Sequence, residues 1–448
     1  MARTEGGGPG MTSWFHNMFR SFRYRNYRLF FTGQSVSLIG TWMQRIAIPW
    51  LVYSLTGSAL LLGIVAFSLY IPTFLFAPIA GAIIDRWDRY KVLVITQVLS
   101  MLQALLLAVL YFAGAAQVWN IILLSVVLGT INAFDLPARQ SFVIDLVGDR
   151  SDLGNAIALN STMFNAARLV GPSIAGMVIV VSNEGVCFLI NGLSFIFVIS
   201  SLLMMRLKPR AEPDRKEDVW SEMKAGFRYA LNYIPVRDVI LLLAMMNLMG
   251  IPFTVLLPVF ASEVLEGGSS VYGFLMGATG VGALAAALYL ASRKSAVGLM
   301  QIIAVSAGLF GLSLIFFSLT RVFIMSMAMI LFVGFGMMLE TTSSNTLLQT
   351  IADDDKRARV MSFYAMAFLG AAPLGSLLAG SLASHLGVAH VVQFAGTMCI
   401  LGSMVFAWRL SVLRKIIRPI YQRIGILPDV TSGVPCEAEV TVAEDGGS

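Results

Sequence analysis

Twelve apolar runs, each close to the length of a bilayer-spanning helix, govern what this chain can fold into. They lie at 29–53, 60–84, 92–114, 118–139, 153–181, 186–205, 239–264, 271–291, 297–319, 322–349, 360–383 and 388–410, joined by short polar connections. A spanning helix needs about 20 mostly apolar residues. Within hydrocarbon, only helices and closed barrels satisfy the backbone. The pattern therefore predicts an all-α membrane protein with twelve transmembrane helices. Charge content agrees: 12% of the residues are charged and 57% hydrophobic, whereas a soluble domain carries about a quarter charged residues.

The basic residues set the orientation. Of 31 Lys and Arg, 28 lie in the N-terminal segment, in the connections after even-numbered runs and in the C-terminal tail, counting Arg139 and Arg409 at the ends of their runs. Arg321 alone lies in the opposite connections, and Arg45 and Arg168 sit inside runs. By the positive-inside rule both termini are cytoplasmic. The net charge of +6 is thus a topology signal in short blocks, and the reading includes no nucleic-acid partner. No cleavable leader precedes the first run. Cys187, Cys399 and Cys436 are too scattered for a disulfide framework or metal cluster.

The chain reads as five parts: a cytoplasmic leader and interfacial helix (1–28), a six-helix half (29–205), a cytoplasmic linker with an amphipathic helix (206–238), a second six-helix half (239–410) and a disordered cytoplasmic tail (411–448). Trp14, Phe15, Met18, Phe19 and Phe22 recur at helical spacing before the first half, and Trp220, Met223, Phe227 and Leu231 before the second. Both fit helices lying in the interface. The halves look duplicated. Phe22-Arg23-Tyr24 returns as Phe227-Arg228-Tyr229, and Gly129 and Asp135 return as Gly334 and Glu340, all at an offset of 205. An even repeat relates the halves by an axis along the membrane normal, as in two-halved transporters.

Ionisable residues inside spans are the candidates for function. Arg45, Asp135, Arg168 and Glu340 each cost about 2.5–3.5 kcal/mol at a span centre on insertion scales, so they must face water, pair with one another, or both. The alternative is a set of purely interhelical ties. Gln44 precedes Arg45; Asn132, Asp135 and Arg139 share a face of the fourth run; Asn165 lies one turn from Arg168; Glu340 and Asn345 lie at similar depth in the tenth. Asn247 completes the pathway candidates, with an interhelical hydrogen bond as its plainer role. A carboxylate whose distance to an arginine changes with helix motion could load and release a proton, so Asp135 and Glu340 are the coupling candidates.

The connection after the second run holds Gly81, Asp85, Arg86, Arg89 and Lys91. An acid followed by bases in a tight turn can cap the next helix and pair with neighbouring helix ends, holding a gate shut. This Gly81-x-x-x-Asp85-Arg86-x-x-Arg89-x-Lys91 resembles the loop signature of the major facilitator superfamily, with Asp88 where the family commonly has glycine and Tyr90 in place of a base. Gly171-Pro172, followed by Ala175-Gly176, resembles the fifth-helix motif of antiporters in that superfamily, with Ala167 and Ala175 at two of its glycine places. The stretch from Asn132 to Gln140, with Asp85 to Arg89, resembles the enterobactin-exporter-like and macrolide-efflux-like branch. The second half lacks a matching acidic loop, since no aspartate precedes Ser292-Arg293-Lys294. The resemblance implies the major facilitator fold, a monomer in a bacterial-type cell membrane, gating by the loop and by Gly171 and Pro172, and antiport.

The reading is a secondary transporter, a proton-coupled exporter of a small amphipathic molecule such as a siderophore, a macrolide or another drug-like compound, working by alternating access. An uptake carrier of the same fold and a channel are the alternatives. An ATP-driven pump would need a G-x-x-x-x-G-K-[ST] loop, and the chain has none. An enzyme would need a nucleophile, base or metal set. His16, His385 and His390 lie outside the span centres and show no metal spacing, so no cofactor or metal is expected.

Overall fold

The computed structural model describes residues 19–147, 149, 152–206, 233–293, 297–352 and 356–423, except the side chains at 77–79, 81–86, 358 and 359. The amphipathic patterns around Trp14 and Trp220 therefore lie outside it for the most part, as does Cys436. All regular structure among the described residues is helical. A 3-10 turn at Arg20–Arg23 leads into α1 (Arg25–Thr56), followed by α2 (Ala59–Arg86), α3 (Arg89–Phe112), α4 (Val118–Leu146), α5 (Leu153–Val181) and α6 (Glu184–Leu203). The second half holds α7 (Ile234–Val264), α8 (Ser269–Ala291), α9 (Leu299–Leu319), α10 (Phe323–Ile351), α11 (Arg357–Leu386) and α12 (Val388–Arg423).

Local chemistry sets the breaks. Gly57 ends α1 in the left-handed region at φ 61°, and Gly387 separates α11 from α12 at φ 82°. Both conformations favour glycine. Asp88, where the related loops commonly carry glycine, is the N-cap of α3 and accepts from the Tyr90 amide at 3.0 Å. Asn183 caps α6 in the same way.

Eleven of the twelve helices are long and apolar enough to cross a membrane. The exception is α1, in which Gln34, Gln44, Arg45 and several hydroxyl side chains dilute the apolar residues. Large apolar side chains such as Val109, Leu288 and Trp408 are exposed on the helix surfaces, which suits contact with lipid rather than water.

Two features depart from the expected boundaries. First, residues 411–423, assigned above to a disordered tail, continue α12: Leu413, Ile417 and Tyr421 are buried at helical spacing and join the main core. The rest of that tail lies outside the described residues. Second, α7 is interrupted by π-helical turns at Met246–Gly250 and Phe260–Val264. Pro252 and Pro258 remove backbone donors between them, a recognised cause of such irregularity.

Packing repeats between the halves. In the first, α2 packs on α4 and α3 on α4 and α6; in the second, α8 packs on α10 and α9 on α10 and α12. Gly129 brings α4 against the Leu69 carbonyl of α2, and Gly334 brings α10 against the Thr279 carbonyl of α8. These glycines stand 205 positions apart, so the offset read from sequence marks equivalent close approaches. Two seams join the halves, α2 with α11 and α5 with α8, which the same pseudo-symmetry interchanges.

Candidate functional site

The seams are tightest at the end of the bundle away from the termini, called here the far face. A Cβ on Gly380 of α11 would lie 2.6 Å from the Ala59 carbonyl oxygen and 2.9 Å from the Gly63 Cα of α2. A Cβ on Gly273 of α8 would lie 2.7 Å from the Pro172 carbonyl oxygen and 2.9 Å from the Gly176 Cα of α5. Such contacts leave room for glycine alone. Trp50 of α1 stacks on Tyr272 of α8 with centroids 6.1 Å apart, and the Tyr53 hydroxyl donates to Glu263 of α7 at 2.8 Å. The main buried cluster runs across both halves here, from Ile46 and Val52 to Phe260 and Leu275. Towards the termini, Tyr27, Phe30, Phe142 and Phe195 form a cluster belonging to the first half alone. None of Tyr53, Glu263, Trp50 or Tyr272 is marked by sequence, because each gains meaning only from a partner in the other half.

Among the described residues, neither in-span acid pairs with Arg45 or Arg168. Asp135 is 3% exposed and accepts from Thr96 Oγ1 at 3.0 Å and Gln97 Nε2 at 2.6 Å, both on α3, while Arg139 one turn along α4 pairs with its other oxygen. Glu340 is 1% exposed and its hydrogen bonds among the described residues come from hydroxyls: Ser344 Oγ donates at 3.0 Å and Thr341 Oγ1 at 3.4 Å. No ion pair of Glu340 is found among the described residues. The repeat thus places a buried acid at equivalent positions of α4 and α10, with a counter-charge among the described residues only at Asp135.

Arg45 and Arg168 meet over one indole. The Arg45 guanidinium carbon lies 4.8 Å from the Trp42 ring centre and that of Arg168 lies 5.9 Å from it, both within cation–π range. Phe164 meets the same indole edge-on at 5.8 Å. Arg45 is exposed although it is far into α1, and Arg168 is half-buried. Gly171 supports this arrangement, since its Cβ position lies 2.5 Å from Trp42 Cβ, so that α5 is pressed onto α1 one turn beyond Arg168. Pro172 then presents its carbonyl to Gly273 across the seam. The Gly171-Pro172 motif therefore lies in contact both with the indole that carries the arginine pair and with the seam between halves.

The remaining candidates have local roles. Gln44 is buried and joins three helices, donating to Gln103 at 2.9 Å and accepting from Asn191 at 2.8 Å. Asn247 donates to the Leu243 carbonyl and Asn165 to that of Ser161, each within its own helix; Asn345 accepts from Gln349. Asn132 is half-buried. In the loop motif, Arg89 donates to the Ser141 carbonyl at 3.4 Å and lies 3.9 Å from Asp145, both on the first half's own α4. Lys91 is exposed. The side chains of Gly81, Asp85 and Arg86 lie outside the described set. At the ends of the halves, Asp152 binds Arg20 and Arg23 ahead of α1, and Asp238 binds Arg237 and Arg409 of α12.

A groove of about 310 Å³ opens where α5, α8 and α10 meet, lined by Leu169, Ser173, Phe274, Val281 and Leu331 among others. It carries no charged side chain. No group of three or more His, Cys, Asp or Glu among the described residues could hold a metal ion.

The profile of the transmembrane secretion effector family matches residues 16–416. The Staphyloferrin A transporter of Staphylococcus aureus is 28% identical over 380 residues, covering 85% of this chain and 95% of that protein. The multidrug efflux pump Tap of Mycolicibacterium fortuitum is 26% identical over 385 residues, covering 84% and 93%. Macrolide efflux protein A of Streptococcus pyogenes is 23% identical, covering 84% and 95%. Among solved structures, the nucleoside transporter NupG superposes with a TM-score of 0.64 at 15% identity, covering 86% of this chain and 98% of its own. At that identity the likeness establishes the fold. The family and these relatives are transporters, not enzymes. With eleven helices long and apolar enough to cross a membrane and bacterial relatives, the protein is a multi-pass protein of the inner membrane. The chain belongs to the transmembrane secretion effector family of the major facilitator superfamily.

Proposed function

We propose that the protein is a proton-coupled exporter of a small amphipathic molecule, working as a monomer by alternating access. The observation that carries this reading is the one-sided closure. The halves are sealed at the far face by glycine contacts and by the Trp50–Tyr272 and Tyr53–Glu263 pairs, while Arg45, deep within α1, stays exposed. With the termini cytoplasmic, as the basic residues favour, this is an inward-open state. Rocking the halves about the two seams would expose the same central site to the other side. Both halves of the pathway lie in one chain, so no second copy is needed. The siderophore, multidrug and macrolide carriers among the relatives support export of a molecule with apolar and polar parts.

Glu340 is assigned the coupling role. Asp135 has a cation and two neutral donors, whereas Glu340 has only hydroxyls among the described residues. A proton would neutralise a charge that nothing described beside it balances, and α10 could then move relative to α11 and α12. Reconstituted Glu340→Gln protein is expected to lose at least tenfold in erythromycin transport driven by an imposed pH gradient, while one-for-one exchange of labelled erythromycin persists. Gradient-driven transport at the wild-type rate would remove Glu340 from the coupling.

A further inference from the structure

Every other buried or half-buried charge discussed above has a partner of opposite charge or a hydrogen-bond acceptor or donor. Asp135 has Arg139, Asp152 has Arg20 and Arg23, and Asp238 has Arg237 and Arg409. Arg45 and Arg168 have neither among the described residues; what each touches is the face of Trp42. Both lie within 6 Å of one indole centre, so the guanidinium carbons are no more than about 11 Å apart. Arg45 also lies within electrostatic reach of Arg168, as does Tyr70 of α2. Two like charges held together inside a span disfavour one another and disfavour the apolar phase. As interhelical ties they would be a poor choice, since they repel.

Their geometry favours an anion. An indole below a guanidinium holds its plane and leaves the N–H edge free, and that edge matches two oxygens of a carboxylate or phosphate. Arg45 is exposed and Arg168 half-buried, so the pair is reachable from the open side of the bundle. Phe164 and Tyr70 are both exposed in part and supply aromatic surface nearby. We infer that Arg45, Arg168 and Trp42 form an anion-binding site within the first half, which takes the carboxylate or phosphate of a molecule whose remainder is flat and apolar. The inference deepens the exporter reading and rests on it for the anion being cargo. The same chemistry would hold a lipid phosphate.

The test is binding by the full chain in phosphatidylcholine nanodiscs, measured by titration calorimetry with 2-naphthoate and its neutral isostere 2-naphthamide. The acid is expected to bind at least tenfold more tightly than the amide. Arg45→Gln and Arg168→Gln should each remove that preference, and Arg45→Lys, which keeps the charge without the fork, should restore part of it. Equal binding of acid and amide to the wild-type protein, or a preference that survives both glutamine variants, would overturn the site. Replacing a third of the lipid by phosphatidylglycerol separates the sources. Weaker naphthoate binding in the wild type alone identifies a lipid headgroup as the competing anion, and unchanged binding identifies a soluble one; the site stands in either case. Flux in proteoliposomes is read separately. Acid-selective binding without gradient-driven flux would sink the exporter reading and leave the site, and flux with no acid preference would do the reverse.

Discussion

A leucine at Gly380 should stop transport while leaving both halves folded. The first new carbon would already lie 2.6 Å from the Ala59 carbonyl oxygen and 2.9 Å from the Gly63 Cα. Both are backbone atoms, so no side chain can turn away to admit it. Overpacking of this kind costs about 1–3 kcal/mol, and the cost falls only on the state in which α2 and α11 touch at the far face. The open state is spared. At about 1.4 kcal/mol per tenfold in population, a loss near 3 kcal/mol would empty the sealed state by roughly a hundredfold. Transport is expected to fall at least tenfold, and a cysteine at Ser58 should react faster with an impermeant maleimide added to the far side. Gly154→Ala is the control, because its Cβ would meet nothing within 4 Å. Wild-type transport by Gly380→Leu would mean that the seam need not close.

Asp135→Ala should be the most destabilising single substitution in the first half. It strands the Arg139 guanidinium and takes away the acceptor of the Gln97 amide, while Thr96 keeps the Leu93 carbonyl. Breaking one side of a buried ion pair costs about 3–5 kcal/mol, several times the 0.6 kcal/mol average of a hydrogen bond between membrane helices. The expected readout is a marked drop in the apparent melting temperature in detergent and in membrane yield. Adding Arg139→Met should recover much of the loss, since the uncompensated charge goes with it. A single variant as stable as the wild type would show that Asp135 carries little of the packing of α3 on α4.

The helices were legible because hydrocarbon leaves the backbone few choices. Length and apolarity mark eleven of them, the polar side chains of α1 diluting its signal, and the offset of 205 picks out Gly129 and Gly334, which the fold uses alike. The end of α12 was hidden. Leu413, Ile417 and Tyr421 recur every four residues, but Arg414, Lys415 and Arg418 between them make the stretch look like a solvated tail. The irregular turns of α7 had a signal in Pro252 and Pro258, which hydropathy does not register.

The site was legible in its residue types and not in its pairings. Asp135 and Arg139 lie one turn apart, so their contact follows from helix geometry. That Glu340 has no ion pair among the described residues, that Gln44 is tied to Gln103 and Asn191, and that Arg45 and Arg168 share Trp42 all depend on how neighbouring helices are rotated. The far-face seal is harder still, because Tyr53 and Glu263 stand 210 positions apart on different halves.

The central claim is that the halves close at one end as they open at the other. Spin labels at Ser182 and Arg321 would report the far face, and labels at Gln140 and Gln349 the face of the termini, with the native cysteines replaced. Pulsed electron–electron resonance across each pair, at two pH values and with and without erythromycin, measures both distances in one protein. The expected result is opposite movement, the first distance lengthening in the conditions that shorten the second. Distances that stay fixed, or that lengthen together, would contradict it.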